Sequence, residues 1–345
     1  MCLMRCHSSR LSLWGDLGKM LLDSREGVFE KPLMQNIPLI DISDLQDIKT
    51  LHELDDACRQ WGFFQVTEHG IPSAVFKNLN DAMHDFFGQP HAAKKCLERS
   101  AENPWGFYDQ ELTKNVKDWK EVIDIGPENG PERPQWPQTL PNFKGAVETF
   151  YKEAEQVSRR LLTAIAKNLE TAPHVLLSAF EDHTSFLRLN FYPPCPDPAP
   201  EDASTVPSKG QLGIGHHSDA GVLTVLFQDS QPGLQVEHGG RWHTVEPVEN
   251  ALVINLGDVV QVWSNDRYRA ALHRVVANSE NARFSAPFFF NPSYATDYAP
   301  LDAMCTTAPP RYRPINWREF RGLRADGDYA DYGEEIQISH YRTKS

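Results

Sequence analysis

Between residues 186 and 291 the chain is written as short β-branched and aromatic runs, interrupted about every eight to twelve residues by Gly, Pro, Asn or Asp. That rhythm suits an all-β sandwich or barrel, in which each run is one strand and successive side chains face opposite sides. Inside it lies QLGIGHHSDAGVLTVLFQ (211–228), where His217 and Asp219 stand two apart at the edge of an apolar run. Residues two apart on a strand share a face, so an imidazole nitrogen and a carboxylate oxygen can converge on one divalent metal. His216 competes for that role, but only His217 has the two-residue offset from Asp219, and His216 is expected to face away.

Such a site needs a third ligand. Two histidines and one carboxylate that leave three positions open are the set used by non-haem Fe(II) oxygenases. His273 is the best candidate, because it opens a second β-branched run, HRVV (273–276), from a strand remote in sequence. Ten residues on, Arg283 and Ser285 share a face of the next strand, a pairing that fits the carboxylate of an organic acid. Arg188, Asn190 and Tyr192 also alternate along one strand, and polar groups on a core strand are costly unless they pair or line a wet cavity. Each piece has a plainer alternative: any one of the thirteen histidines could be an ordinary core or surface residue, and the 188–192 face could be an exposed edge.

Taken together, HSDAG (217–221), HRVV and RFS (283–285) resemble the 2-oxoglutarate and Fe(II)-dependent dioxygenases of the isopenicillin N synthase-like group. The likeness extends through LRLNFYPPCPDP (187–198), GLQV (233–236), INLGD (254–258), SND (264–266) and FFFNPS (288–293), with IPLIDIS (37–43) and CRQWGFFQVTEHGIP (58–72) near the start. The resemblance implies a mainly β fold, a double-stranded β-helix or jelly-roll core flanked by α-helices. It implies that His217, Asp219 and His273 bind Fe(II), and that Arg283, Ser285 and Tyr192 hold the distal carboxylate of 2-oxoglutarate with Asn190 close by. The implied reaction is oxidation of a small organic metabolite by dioxygen, by hydroxylation or desaturation, with release of succinate and CO2 and with ascorbate as a supporting reductant. The family places the segment carrying Trp105, Phe107 and Tyr108 near the mouth of the site; these residues and Phe289 are the expected substrate contacts. Two alternatives stay open at this stage: a 2-oxoglutarate-independent Fe(II) oxidase of the same family, and an inactive jelly-roll that binds a ligand.

The formal charge of −13 argues against nucleic acid or an anionic membrane as partner and favours a small molecule. Six scattered cysteines without C-x-x-C or zinc spacing suit a reduced cytoplasmic protein, and no apolar run reaches about eighteen residues. A monomer is the default expectation. Residues 1–36 read as a flexible extension, 37–180 as a mixed α/β N-terminal segment, 181–295 as the jelly-roll core and 296–345 as a C-terminal helix and tail. Phe143, Val147, Phe150, Ala154, Val157, Leu161, Ile165 and Leu169 step by four and three, which predicts a long amphipathic bracing helix. The proline-rich stretch 127–141 is expected to be an exposed linker, the acidic residues of DWKE (118–121) to be structural, and the helical pattern of Trp317, Phe320 and Leu323 to serve surface packing, with a lid over the pocket as the alternative.

Overall fold

The computed structural model describes residues 36–113, 116–200, 203, 209–327 and 336–343. Apart from residue 36, the expected N-terminal extension lies outside the described residues, as does the acidic stretch 328–335. In chain order, β1 (Leu39–Asp41), α1 (Ile48–Gln60), β2 (Phe63–Thr67), α2 (Ser73–Phe87) and α3 (His91–Lys95) lead into short strands β3 (Gly106–Tyr108), β4 (Leu112–Thr113), β5 (Val116–Lys117) and β6 (Glu121–Ile125). Helices α4 (Phe143–Asn168) and α5 (Pro173–Leu177) precede β7 (Phe186–Tyr192), β8 (Leu212–His217), β9 (Leu223–Gln228), β10 (Leu234–His238), β11 (Arg241–Thr244) and β12 (Leu252–Leu256). Then come α6 (Asp258–Trp263), β13 (His273–Val276), β14 (Arg283–Phe290), β15 (Asp297–Tyr298), β16 (Ile315–Asn316) and α7 (Trp317–Gly327).

Two sheets form the jelly-roll core. The larger runs β1-β2-β12-β9-β14-β7-β6-β3 and the smaller β11-β10-β13-β8. Strands from the N-terminal segment thus complete the sheet that the strand-rich half begins. The period of two sorts every central strand of the large sheet into two faces. Leu187 and Leu189 of β7, Leu223 and Val225 of β9, Leu252, Ile254 and Leu256 of β12, and Phe284, Ala286, Phe288 and Phe290 of β14 belong to one buried cluster with α4. The alternate residues, among them Asn190, Thr224, Asn255, Arg283 and Ser285, line a cavity between the two sheets.

Helix α4 is the brace that the spacing predicts: Phe143, Val147, Phe150, Ala154, Val157, Leu161, Ile165 and Leu169 are all buried. Each large apolar side chain hidden in this way contributes about 1.5–3 kcal/mol. The helix stops where Glu170 enters the left-handed region (φ 53°) and Pro173 starts α5. The proline-rich stretch before it has no regular structure but is anchored, contrary to the exposed linker expected. Gln135 Nε2 donates to the carbonyls of Leu97, Glu98 and Trp105, and Trp136 packs edge-on against Phe143.

Candidate active site

Strand pairing brings the two candidate histidines together. His273 on β13 stands directly opposite His217 on β8, and their ring centroids are 4.3 Å apart. Asp219, two residues past the end of the pair, places Oδ1 3.6 Å from His217 Nε2 and 3.7 Å from His273 Nε2. One ligand atom from each residue lies within 4.8 Å of the others, close enough for a single ion to draw all three in.

The neighbours of this triad set which atoms are free to bind. His217 Nδ1 donates to the Gly215 carbonyl at 2.8 Å and His273 Nδ1 to the Ala271 carbonyl at 3.0 Å, which leaves both Nε2 lone pairs facing Asp219. Burial, reinforced by His273, pushes the pKa of His217 down to about 3, so the ring is neutral and able to ligate. Burial would raise the pKa of Asp219, but His273 and His217, with hydrogen bonds from Thr224 and Asn255, outweigh it and hold the carboxyl below its usual range. Those two donors both engage Oδ2, the Thr224 hydroxyl and the Asn255 amide (2.8 Å), so Oδ1 alone is presented to an ion. Asn255 belongs to the INLGD motif, whose Gly257 lets α6 begin against the metal loop: a Cβ there would stand 2.2 Å from the Gly221 carbonyl oxygen. His216 is buried and faces the Trp242 ring, away from the triad, as the offset predicts.

On the large sheet, β7 and β14 pair so that Arg283 opposes Tyr192 and Ser285 opposes Asn190, four side chains in a two-by-two patch on the cavity face. The Arg283 guanidinium is buried and lies 5.2 Å from the Tyr192 ring centroid. Its Nη2 donates to Gln228 Oε1 at 3.1 Å, while Nε and Nη1 have no protein partner; nor has the Asn190 carbonyl oxygen, Oδ1. A buried donor left without an acceptor costs about 1–3 kcal/mol. Two of them on one guanidinium inside a cavity fit an anionic ligand that completes the set. The donor chemistry therefore suits both groups that the sequence implies: a divalent transition-metal ion at the triad and a carboxylate at the arginine.

The rest of the wall departs from the sequence expectations. Phe289 lines the cavity and stacks on Phe186 at 4.8 Å. Trp105, Phe107 and Tyr108 do not: Trp105 packs against the Phe186 ring, Phe107 is buried in the core beside Phe86, and Tyr108 covers the Arg99 guanidinium at 4.0 Å. Arg188 lies on the cavity face, as the alternation along its strand predicts, but its charge is engaged there. Arg188 bonds Glu111 and Asp124 at 2.8 and 2.7 Å, Arg99 bonds the same two carboxylates at 3.1 Å, and Lys120 joins Glu111 to Asp118 at 3.0 Å to each. Three cations and three carboxylates thus close a buried network. Helix α7, expected to pack on the surface, supplies Trp317, Arg321 and Arg324 to the cavity. Arg324 Nη2 donates to the Ser218 carbonyl at 2.8 Å and so ties α7 to the metal loop.

A jelly-roll carrying a facial pair of histidines and a carboxylate, with a buried arginine in the same cavity, defines a non-haem iron oxygenase that uses an acidic cosubstrate. Comparison with known proteins agrees and is more specific. Residues 183–292 match the 2OG-Fe(II) oxygenase superfamily, and residues 37–144 match the N-terminal family described as "non-haem dioxygenase in morphine synthesis". The chain is 34% identical to Jasmonate-induced oxygenase 1 of Arabidopsis thaliana over 88% of its own length and 76% of the relative's. It is 32% identical to Gibberellin 2-beta-dioxygenase 5 of Oryza sativa subsp. japonica, over 89% and 88%. Among solved structures, JOX2 in complex with 2OG, Fe, and JA superposes with a TM-score of 0.77 at 29% identity, over 90% of each chain.

The chain belongs to the 2OG-Fe(II) oxygenase superfamily. It is a 2-oxoglutarate-dependent dioxygenase of small organic metabolites that uses Fe(II) and dioxygen. No helix among the described residues is long and apolar enough to cross a membrane.

Proposed function

We propose that His217, Asp219 and His273 are the iron ligands, that Arg283, Ser285, Tyr192 and Asn190 receive 2-oxoglutarate, and that the substrate is an organic acid with an apolar body. The observation that carries the first two assignments is the buried Arg283 guanidinium with two unpartnered nitrogens, in the same cavity as a triad with two free Nε2 lone pairs. The substrate class is supported by the charges on the wall. Arg188 and Lys120 are balanced by carboxylates, whereas Arg321 faces the cavity with no hydrogen bond or ion pair among the described residues. Phe186, Pro287, Phe289 and Trp317 provide apolar surface for the body of such a molecule.

Fe(II) bound with 2-oxoglutarate supplies the oxidant for the substrate C–H bond, the cosubstrate leaving as succinate and CO2. The protein's residues do the rest. Thr224 and Asn255 keep one Asp219 oxygen occupied, so that the other would be the one offered to the ion. Arg283 and Ser285 would receive the distal carboxylate of the cosubstrate, in the same cavity as the triad. Arg321 holds the substrate by its anionic end, so that geometry selects the carbon attacked. The enzyme acts on free small molecules as a monomer in the reducing cytoplasm, a reading supported by its acidic charge and its free cysteines Cys58, Cys96, Cys195 and Cys305.

The test is a panel of aryl and alkyl carboxylic acids, each paired with its methyl ester, scored by succinate release. Acids should stimulate turnover and their esters should not, and Arg321→Gln should erase the difference. Equal stimulation by the esters would refute the anionic substrate.

A further inference from the structure

The metal-bearing strand β8 is the edge of the smaller sheet, with β13 on one side only. An edge strand presents backbone groups that need partners from elsewhere. Here the 118–119 segment provides them. Trp119 N–H donates to the Leu212 carbonyl at 2.9 Å, and the Gly215 N–H donates to Asp118 Oδ1 at 3.2 Å. The same residue, Gly215, offers its carbonyl to His217 Nδ1 at 2.8 Å. Asp118 is itself fixed, since Oδ2 accepts from the Thr113 hydroxyl at 2.9 Å and pairs with Lys120 at 3.0 Å, and the group is buried. Thr113 also closes the gap that a side chain at position 215 would need: a Cβ there would lie 2.8 Å from Thr113 Cγ2.

We infer that Asp118 is a positioning residue for the iron ligand His217, acting through the backbone of Gly215. The inference rests on His217 being a ligand, as proposed above. By anchoring Gly215, Asp118 fixes the carbonyl that selects the Nδ1–H tautomer and aims Nε2 at the metal. The DWKE motif thereby acquires a part in metal binding beyond a structural one. Loss of an outer hydrogen-bond partner of a ligating histidine typically weakens metal binding by about 10–100-fold.

The experiment uses the full chain, metal-free, titrated with Co(II) and followed by its visible d–d bands. Asp118→Ala should weaken Co(II) binding at least about tenfold, and the isosteric Asp118→Asn at least about threefold. Asp124→Asn is the control, because it breaks the same buried charge network without touching Asp118 or Gly215; it should lower stability and leave Co(II) affinity within about threefold of the wild type. A second readout needs no metal: nitrogen NMR of the His217 ring, whose Nδ1–H population should fall in both Asp118 variants and hold in Asp124→Asn. Wild-type affinity and tautomer in the Asp118 variants would overturn the inference, as would an equal loss in the control. If the wild type itself failed to bind Co(II), the proposed ligand set would fall, and the tautomer measurement would still decide the role of Asp118. Should Asp118→Ala not fold, Asp118→Asn decides.

Discussion

Replacing Arg283 with Met separates the two ligands of the cavity. In the free protein the guanidinium is buried with Nε and Nη1 unpartnered, so it contributes little to stability on its own and carries a desolvation cost. In the complex the same two nitrogens would make charge-assisted bonds to a carboxylate, together about 3 kcal/mol. At about 1.4 kcal/mol per decade, the variant should bind 2-oxoglutarate about 100-fold more weakly. In thermal unfolding under nitrogen with Mn(II) in place of iron, cosubstrate at about 100 times the wild-type Kd stabilises the wild type by about 2.7 kcal/mol; the variant gains only about 0.4 kcal/mol at that concentration. With an unfolding entropy of about 2 cal/mol/K per residue, these become shifts of about 4 °C and under about 1 °C. The Tm without cosubstrate should be unchanged or higher in the variant, and Mn(II) affinity should be unaffected. A full cosubstrate shift in Arg283→Met, or a parallel loss of metal, would refute the reasoning.

Two further outcomes follow from particular contacts. Asn255→Ala removes one of the two donors to Asp219 Oδ2, and metal affinity measured by competition with a chelator should fall about 10–100-fold; unchanged affinity would mean that the Asn255 contact does not hold the carboxylate. His69 is buried, accepts the Ile71 N–H at Nδ1 and donates from Nε2 to the Asn250 carbonyl; burial, aided by the Arg160 charge, outweighs the Asn250 bond and lowers its pKa. A histidine depressed in the folded state takes its proton in the unfolded state first. Its contribution to stability is therefore complete above about pH 6.5 and declines below it, by at most about 1.4 kcal/mol per pH unit until the folded pKa is reached. Urea unfolding between pH 7 and pH 5 should show that decline in the wild type and a flatter profile in His69→Gln; identical profiles would exclude His69 as the source.

What the sequence made legible is what period two and short-range spacing can encode. His217-x-Asp219 and Arg283-x-Ser285 declare shared faces, and β-branched runs declare strands, so the triad and the acid-binding arm could be named before any coordinates. The α4 stripe was equally plain, because eight apolar positions repeat at one helical period. The partners of Arg188 were not legible. Asp124 reaches it because β6 pairs with β7 in a register that sets the two residues opposite each other, and nothing within either strand states that register. For the same reason the aromatics at 105–108 could not be sorted: a glycine-punctuated segment has no period to assign faces, and the fold turns Phe107 into the core. The place of α7 on the cavity wall depends on long-range packing, the Trp317 indole bonding Thr184 and Arg324 the metal loop, which an amphipathic pattern alone does not reveal.

The central claim is that one cavity holds iron at His217, Asp219 and His273 and 2-oxoglutarate beside it. Its most direct test is an anaerobic titration of the Fe(II)-loaded protein with 2-oxoglutarate, watching for the visible charge-transfer band of the chelate. The band should saturate near equimolar cosubstrate in the wild type, be absent in His217→Ala and Asp219→Ala for want of iron, and need far more cosubstrate in Arg283→Met. Iron binding without any band, or a wild-type band in either ligand variant, would contradict it.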